Sequence, residues 1–180
     1  MDEKYNKQIS KMLSLVLRHQ PEKINISLDK NGWADVDELI TKMNENGNNL
    51  NFDLLEGVVT TNDKQRFSFN EDLTKIRASQ GHSLDVDLAL ITTEPPVYLF
   101  HGTVEKFIAA IRETGLQKMN RQYVHLSKDK LTAEKVGSRR GKPLILTIAA
   151  GEMFSDGHSF FLSENGVWLC DVVPVKYIKF

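Results

Sequence analysis

Four of the five histidines stand beside residues that could share chemistry with them: Arg18-His19, Gly81-His82-Ser83, His101-Gly102-Thr103 and Val124-His125-Leu126-Ser127. Only His158 lacks such a setting. Arg18-His19 reads in two ways. It can be a cation pair complementing the C-terminal dipole of a helix. It can also clamp an anion, the guanidinium fork taking two phosphate oxygens while the imidazole donates or transfers a proton. Arg77-Ala78-Ser79-Gln80-Gly81-His82-Ser83 is either a solvated loop or a cation followed by several donors for one ligand edge. His101-Gly102-Thr103 follows the apolar residues 97–100. Gly102 would let a ligand approach the backbone, and Thr103 could cap a following helix. The segment is thus a strand-to-helix turn or a nucleotide pocket at a strand end. On an alternating strand His125 and Ser127 share a face, opposite Val124 and Leu126, with Arg121 nearby. Gly137-Ser138-Arg139-Arg140-Gly141 is a basic, glycine-flanked loop, solvated or in contact with phosphate. Glu152, Asp156 and Glu164 read as solvated loop residues, not as a pair of catalytic acids.

The elements that must carry these residues follow from periodicity and breakers. Ile9, Met12, Leu13, Val16 and Leu17 recur at helical spacing, so residues 5–19 are expected to be an amphipathic helix stopped by Pro21. Asp35 is placed to cap a second helix carrying Leu39, Ile40 and Met43 and ending near Asn46-Gly47. Phe52, Leu55, Val58 and Val59 mark a third. Arg66-Phe67-Ser68-Phe69 alternates like a strand, with residues 73–78 as its hairpin partner. Three helices followed by a hairpin is the order of a winged helix. Thr92-Thr93-Glu94-Pro95-Pro96 reads as a linker, which divides the chain into residues 1–93 and 94–180. Beyond it, strands are expected at 97–100, 123–126, 144–149, 160–162, 166–169 and 177–180. Helices are expected at 104–113 and 131–136. The class is α+β with a mostly antiparallel or mixed sheet.

Composition narrows the function classes. Of 180 residues, 41% are hydrophobic and 26% charged, an ordinary globular balance. The single cysteine, Cys170, excludes an internal disulfide framework and a cysteine-based zinc site, and no metal is expected. No apolar run approaches a membrane span, and the polar opening MDEKYNKQ has no signal-peptide core, so a cytoplasmic protein is the expectation. The net charge is −1, with 11 Lys and Arg against 15 Asp and Glu in residues 1–93. Phosphate binding must therefore come from local clusters, not a basic bulk field. Residues 51–61 carry no cation, which argues against duplex readout by the third helix.

Taken together, several segments resemble the RNA 2′-phosphotransferase family, known in bacteria as KptA. They are Leu17-Arg18-His19, Ile76-Arg77-Ala78-Ser79-Gln80-Gly81-His82-Ser83, Leu99-Phe100-His101-Gly102-Thr103, Arg121-Gln122-Tyr123-Val124-His125-Leu126-Ser127, Val136-Gly137-Ser138-Arg139, Gly141-Lys142-Pro143 and Asn165-Gly166-Val167-Trp168-Leu169. The resemblance implies an N-terminal winged-helix lobe that binds RNA and phosphate, then an ADP-ribosyltransferase-like lobe that binds NAD. It implies removal of an internal 2′-phosphate from RNA, of the kind made in tRNA splicing, with NAD as co-substrate. The family's catalytic Arg-His-Arg-Arg set falls on Arg18, His19, Arg77 and Arg121. By the same resemblance His101, Gly102, Thr103, His125, Ser127 and Arg139 belong to the NAD site. Gln80, Gly81, His82 and Ser83 would line the substrate cleft. The expected partners are 2′-phosphorylated RNA and NAD, with no membrane, and nothing demands more than a monomer. Two other functions compete. One is an ADP-ribosyltransferase acting on a terminal phosphate or a protein acceptor. The other is a non-enzymatic winged-helix binder with a ligand-sensing second lobe.

Overall fold

The computed structural model describes residues 3–180, and the chain divides into two compact units, one up to Ala89 and one from Leu90 to Phe180. The described residues form a mixed α/β structure of six α-helices and several small antiparallel sheets. No helix among them is long and apolar enough to cross a membrane.

In the first unit, α1 (Glu3–Val16) buries Ile9, Leu13 and Val16 on one stripe. It ends earlier than its apolar pattern suggests. Leu17 continues the spiral through a bond to the Leu13 carbonyl, but His19 and Gln20 both donate to the Leu15 carbonyl. Pro21 disfavours helical backbone just before it, so the chain tightens into a turn and Arg18-His19 stands past the helix. A short β1 (Ala34–Asp35) leads into α2 (Val36–Glu45), whose first turn is capped by the Asp35 carboxylate accepting from Glu38 N–H at 2.8 Å. Asp35→Ala is expected to lower stability by about 1 kcal/mol, read as a shift of the urea midpoint with unchanged slope. α3 (Phe52–Thr60) is capped in the same way by Asn51.

The hairpin β2 (Phe67–Phe69) and β3 (Lys75–Ala78) pairs Phe67 with Ala78, Ser68 with Arg77 and Phe69 with Ile76. β1 joins the other edge of β3, giving the order β1-β3-β2. Phe67, Ile76 and Ala78 close a core with Leu13, Leu17, Leu39, Met43 and Leu55. Because side chains alternate across a strand, Ser68 and Arg77 lie on the opposite face.

In the second unit, β4 (Leu99–Val104) is followed by α4 (Ile108–Thr114), β5 (Leu116–Gln117), β6 (Val124–Leu126) and α5 (Lys130–Gly137). Then come β7 (Pro143–Ile148), α6 (Ala150–Ser155), β8 (Phe161–Leu162), β9 (Trp168–Cys170), β10 (Val172–Val173) and β11 (Ile178–Lys179). The sheets run β11-β7-β4, β6-β9-β8 and β10-β5. Leu99, Leu126, Leu146, Ile148, Met153, Phe160 and Tyr177 form the core.

Two local expectations are corrected. His101, Gly102 and Thr103 lie inside β4, paired with Leu146, Ile145 and Leu144, and not in a turn after it. Thr103 is buried in that strand and caps nothing; the 3-10 turn Glu105–Phe107 begins without a side-chain cap. The six-residue ladder with β7 extends the strand past the apolar run that marks its start.

Candidate functional site

The first unit gathers one cluster around the end of α1. The Arg18 carbonyl accepts from Ser83 N–H at 3.0 Å, and the Ser83 hydroxyl shares a 2.9 Å hydrogen bond with His19 Nδ1. The loop after β3 is thereby tied to Arg18-His19 by main chain and side chain together. Gly81, at φ +90°, lets that loop turn, with Gln80 half-buried beside it. The Arg18 guanidinium lies 5.8 Å from the Phe67 ring centre and donates to the Arg66 carbonyl at 3.4 Å. The Arg77 guanidinium lies over the Trp33 ring at 4.4 Å, a stack that fixes its plane.

His82 sits among these cations, 1% exposed, with no hydrogen-bond partner for either ring nitrogen among the described residues. Burial, and then the charges of Arg18, His19 and Arg77, hold its pKa well below the ordinary 6.5, at about 4. The imidazole is neutral in the folded protein at pH 6, whereas in the unfolded chain it takes a proton below about 6.5. Stability due to His82 is therefore complete above pH 6.5 and is lost as the pH falls toward 4, by up to about 3 kcal/mol at 1.36 kcal/mol per unit. His82→Leu is expected to flatten that acid limb in urea denaturation curves measured between pH 4 and 7.

The second unit gathers another cluster. Phe100 and Ser127 exchange backbone hydrogen bonds of 2.9 and 2.7 Å, which brings the end of β6 against β4. His101 Nδ1 donates to the His125 carbonyl at 3.1 Å, so its Nε2 is the acceptor nitrogen of the neutral ring. Burial, with the charges of Arg121 and Arg140, holds the His101 pKa below the ordinary 6.5 against the opposing pull of that carbonyl. Arg121 Nη1 donates to His125 Nδ1 at 2.7 Å; arginine has no acceptor, so this nitrogen must accept. Burial, then the charges of Arg140 and Arg139, lower the Arg121 pKa. None of the three pairs with a carboxylate among the described residues. Like charges held together without counter-charges favour an anion.

Gly102 shows its reason in packing. A Cβ there would stand 1.8 Å from the Ala133 carbonyl oxygen and 2.8 Å from Gly137 nitrogen, so α5 lies directly on β4. The packing of α5 on β4 thus fixes where the turn Ser138–Arg140 begins, and with it the backbone of Arg139 and Arg140. Cys170 is buried and its thiol is pushed up to about 12, which removes it as a nucleophile.

A further cation, Arg66, belongs to the first cluster. Arg66 extends the hairpin ladder by one step, its carbonyl accepting from Ser79 N–H at 2.9 Å. It shares the non-core face with Ser68 and Arg77. The alternation of Arg66-Phe67-Ser68-Phe69 was the available signal: if Phe67 points into the core, Arg66 points away from it.

Comparison with known proteins gives a consistent picture. The model of the "RNA 2'-phosphotransferase, Tpt1 / KptA family" matches residues 4–172. A "Probable RNA 2'-phosphotransferase" of Flavobacterium johnsoniae is 63% identical over 180 residues, covering 100% of this chain and 99% of its own. A protein of the same description from Rhodopirellula baltica is 56% identical over 172 residues, covering 95% and 94%.

Proposed function

The chain belongs to the RNA 2′-phosphotransferase, Tpt1 / KptA family, and from that membership we propose that it transfers an internal 2′-phosphate of RNA to NAD. NAD would supply the electrophile: C1″ of its nicotinamide ribose takes a 2′-phosphate oxygen as nicotinamide departs. The 2″-hydroxyl then displaces the RNA 2′-oxygen from phosphorus, leaving a 2′-hydroxyl on the RNA and ADP-ribose 1″,2″-cyclic phosphate. We read the first unit as a winged-helix lobe that takes the phosphate and the second as an ADP-ribosyltransferase-like lobe that takes NAD.

The attacking phosphate is already an anion, so the first step needs position rather than a base. In the second, charge grows on the phosphoryl oxygens, and preorganised guanidiniums stabilise it. Arg18, Arg77 and Arg121 are assigned that work, and Arg66 joins them because its backbone is bound directly by Arg18. His19, able to exchange a proton near neutrality, is assigned proton transfer in the second step. In the second unit, Arg139 and its neighbour Arg140 fit a diphosphate. His101 offers Nε2 to a ribose hydroxyl, and Gly102, Thr103, His125 and Ser127 shape the same site. Gln80, Gly81, His82 and Ser83 belong to the phosphate side.

The observation that carries the NAD assignment is the trio Arg121, Arg139 and Arg140 without a carboxylate partner among the described residues. An RNA oligonucleotide with one internal 2′-phosphate, incubated with the protein, with and without NAD and without added metal, tests it. Loss of the phosphate only when NAD is present, with nicotinamide released in equal amount, is the expected result. Consumption of NAD with the RNA phosphate intact would instead favour ADP-ribose transfer to another acceptor.

A further inference from the structure

The loop between α3 and β2 is organised around one amide. Asn62 Oδ1 accepts from Lys64 N–H at 3.0 Å and from Arg66 Nη1 at 3.3 Å, while Asn62 Nδ2 donates to Ser10 Oγ on α1 at 3.3 Å. Both partners of the oxygen are obligate donors, so the orientation of the amide is settled by its surroundings. The Asn62 carbonyl also accepts from Gln65 N–H at 2.9 Å. Gln65 is held at φ +41°, a left-handed conformation disfavoured for its side chain. The buried Ser79 hydroxyl secures that turn by donating to the Gln65 carbonyl at 2.9 Å. Arg66 is thus gripped by its guanidinium, through Asn62, and by its backbone, whose carbonyl accepts from Ser79 N–H and from the Arg18 guanidinium.

We propose that Asn62 is a positioning residue for the phosphate chemistry: through its side-chain oxygen it aims the Arg66 guanidinium, while its amide nitrogen anchors that aim to α1. The proposal rests on the reading of Arg66 as a phosphate-binding group. A strained residue and a buried hydroxyl committed to one turn are the kind of investment found where a side chain must be held in place. A guanidinium off its mark by an ångström loses much of its value in a transition state.

A double-mutant cycle separates positioning from simple structural support. The four corners are the unchanged protein, Asn62→Ser, Arg66→Ala and the double variant, each with kcat, KM for 2′-phosphorylated RNA and urea stability measured. Serine keeps an acceptor for Lys64 N–H but is too short to reach Arg66. Asn62→Ser is expected to lower kcat about 10–100-fold when Arg66 is present, and to leave kcat unaltered when Arg66 is already alanine. Asn62→Asp, which keeps the acceptor for Arg66, is expected to stay within a few-fold of the unchanged kcat, and it serves in the cycle should the serine variant not fold. An equal loss in both backgrounds, or no loss of kcat in Asn62→Ser while Arg66→Ala loses activity, overturns the proposal alone. Full activity in Arg66→Ala overturns the role of Arg66 and the proposal with it, while NAD-dependent turnover itself still stands.

Discussion

Arg18→Ala is expected to lower kcat/KM for NAD-dependent 2′-phosphate removal by about 10²–10³-fold, a loss of about 2.7–4 kcal/mol of transition-state stabilisation. On the proposed reaction, the size follows from removing one preorganised donor from a site where charge would develop on phosphoryl oxygens. The variant is informative because the backbone bond from Ser83 to Arg18 does not depend on the guanidinium. The carbonyl that receives Ser83 N–H at 3.0 Å survives the change, and so does the contact between Ser83 and His19. What disappears is the guanidinium, with its 3.4 Å bond to the Arg66 carbonyl and its approach to Phe67. Stability should fall by only about 1 kcal/mol, as for one hydrogen bond. Arg18→Lys keeps the charge without the planar fork and should recover only part of the rate. Steady-state kinetics beside urea denaturation check both halves. A variant that loses stability and activity together, by comparable free energies, would place Arg18 in the scaffold instead.

Gly102→Ala is expected to destabilise the second unit by about 3 kcal/mol or more, at the upper end of overpacking effects. The new methyl would fall 1.8 Å from the Ala133 carbonyl oxygen and 2.8 Å from Gly137 nitrogen. These are backbone atoms of one helix, so relief requires α5 to lift from β4. Gly137 has the reciprocal constraint, since a Cβ there would stand 3.1 Å from the Thr103 carbonyl oxygen. Moving α5 also moves Arg139 and Arg140, which follow it. Weakened NAD binding should therefore accompany the loss of stability, in contrast to Arg18→Ala. Urea denaturation and an NAD titration of the variant read the two effects separately.

Much of this was legible in the residues because local signals agreed with long-range packing. Asp35 marked the start of α2, the apolar spacing of Phe52, Leu55, Val58 and Val59 placed α3, and the alternation at residues 66–69 indicated the hairpin. In the second unit the apolar run at residues 144–149 announced β7. What escaped notice has a common cause. β1, β5 and β10 are two residues long and exist because a partner strand supplies their hydrogen bonds, so no alternation can build up. α6 spans six residues, too few for a helical period to stand out. Gly102 suggested a ligand near the backbone, whereas the nearest neighbour is a helix 31 positions along the chain, a contact invisible to local reading. Arg66 lay in plain view on a strand correctly anticipated, but its importance comes from Arg18 and Ser79 meeting at its carbonyl.

The fate of the phosphorus distinguishes transfer to NAD from simple hydrolysis. An RNA oligonucleotide carrying a radiolabelled internal 2′-phosphate, mixed with excess protein and NAD in a single turnover, would be followed by chromatography and mass. The label is expected to leave the RNA only with NAD and to end in ADP-ribose 1″,2″-cyclic phosphate, after passing through an ADP-ribosylated RNA. Label appearing as inorganic phosphate, or leaving the RNA without NAD, would contradict transfer to NAD.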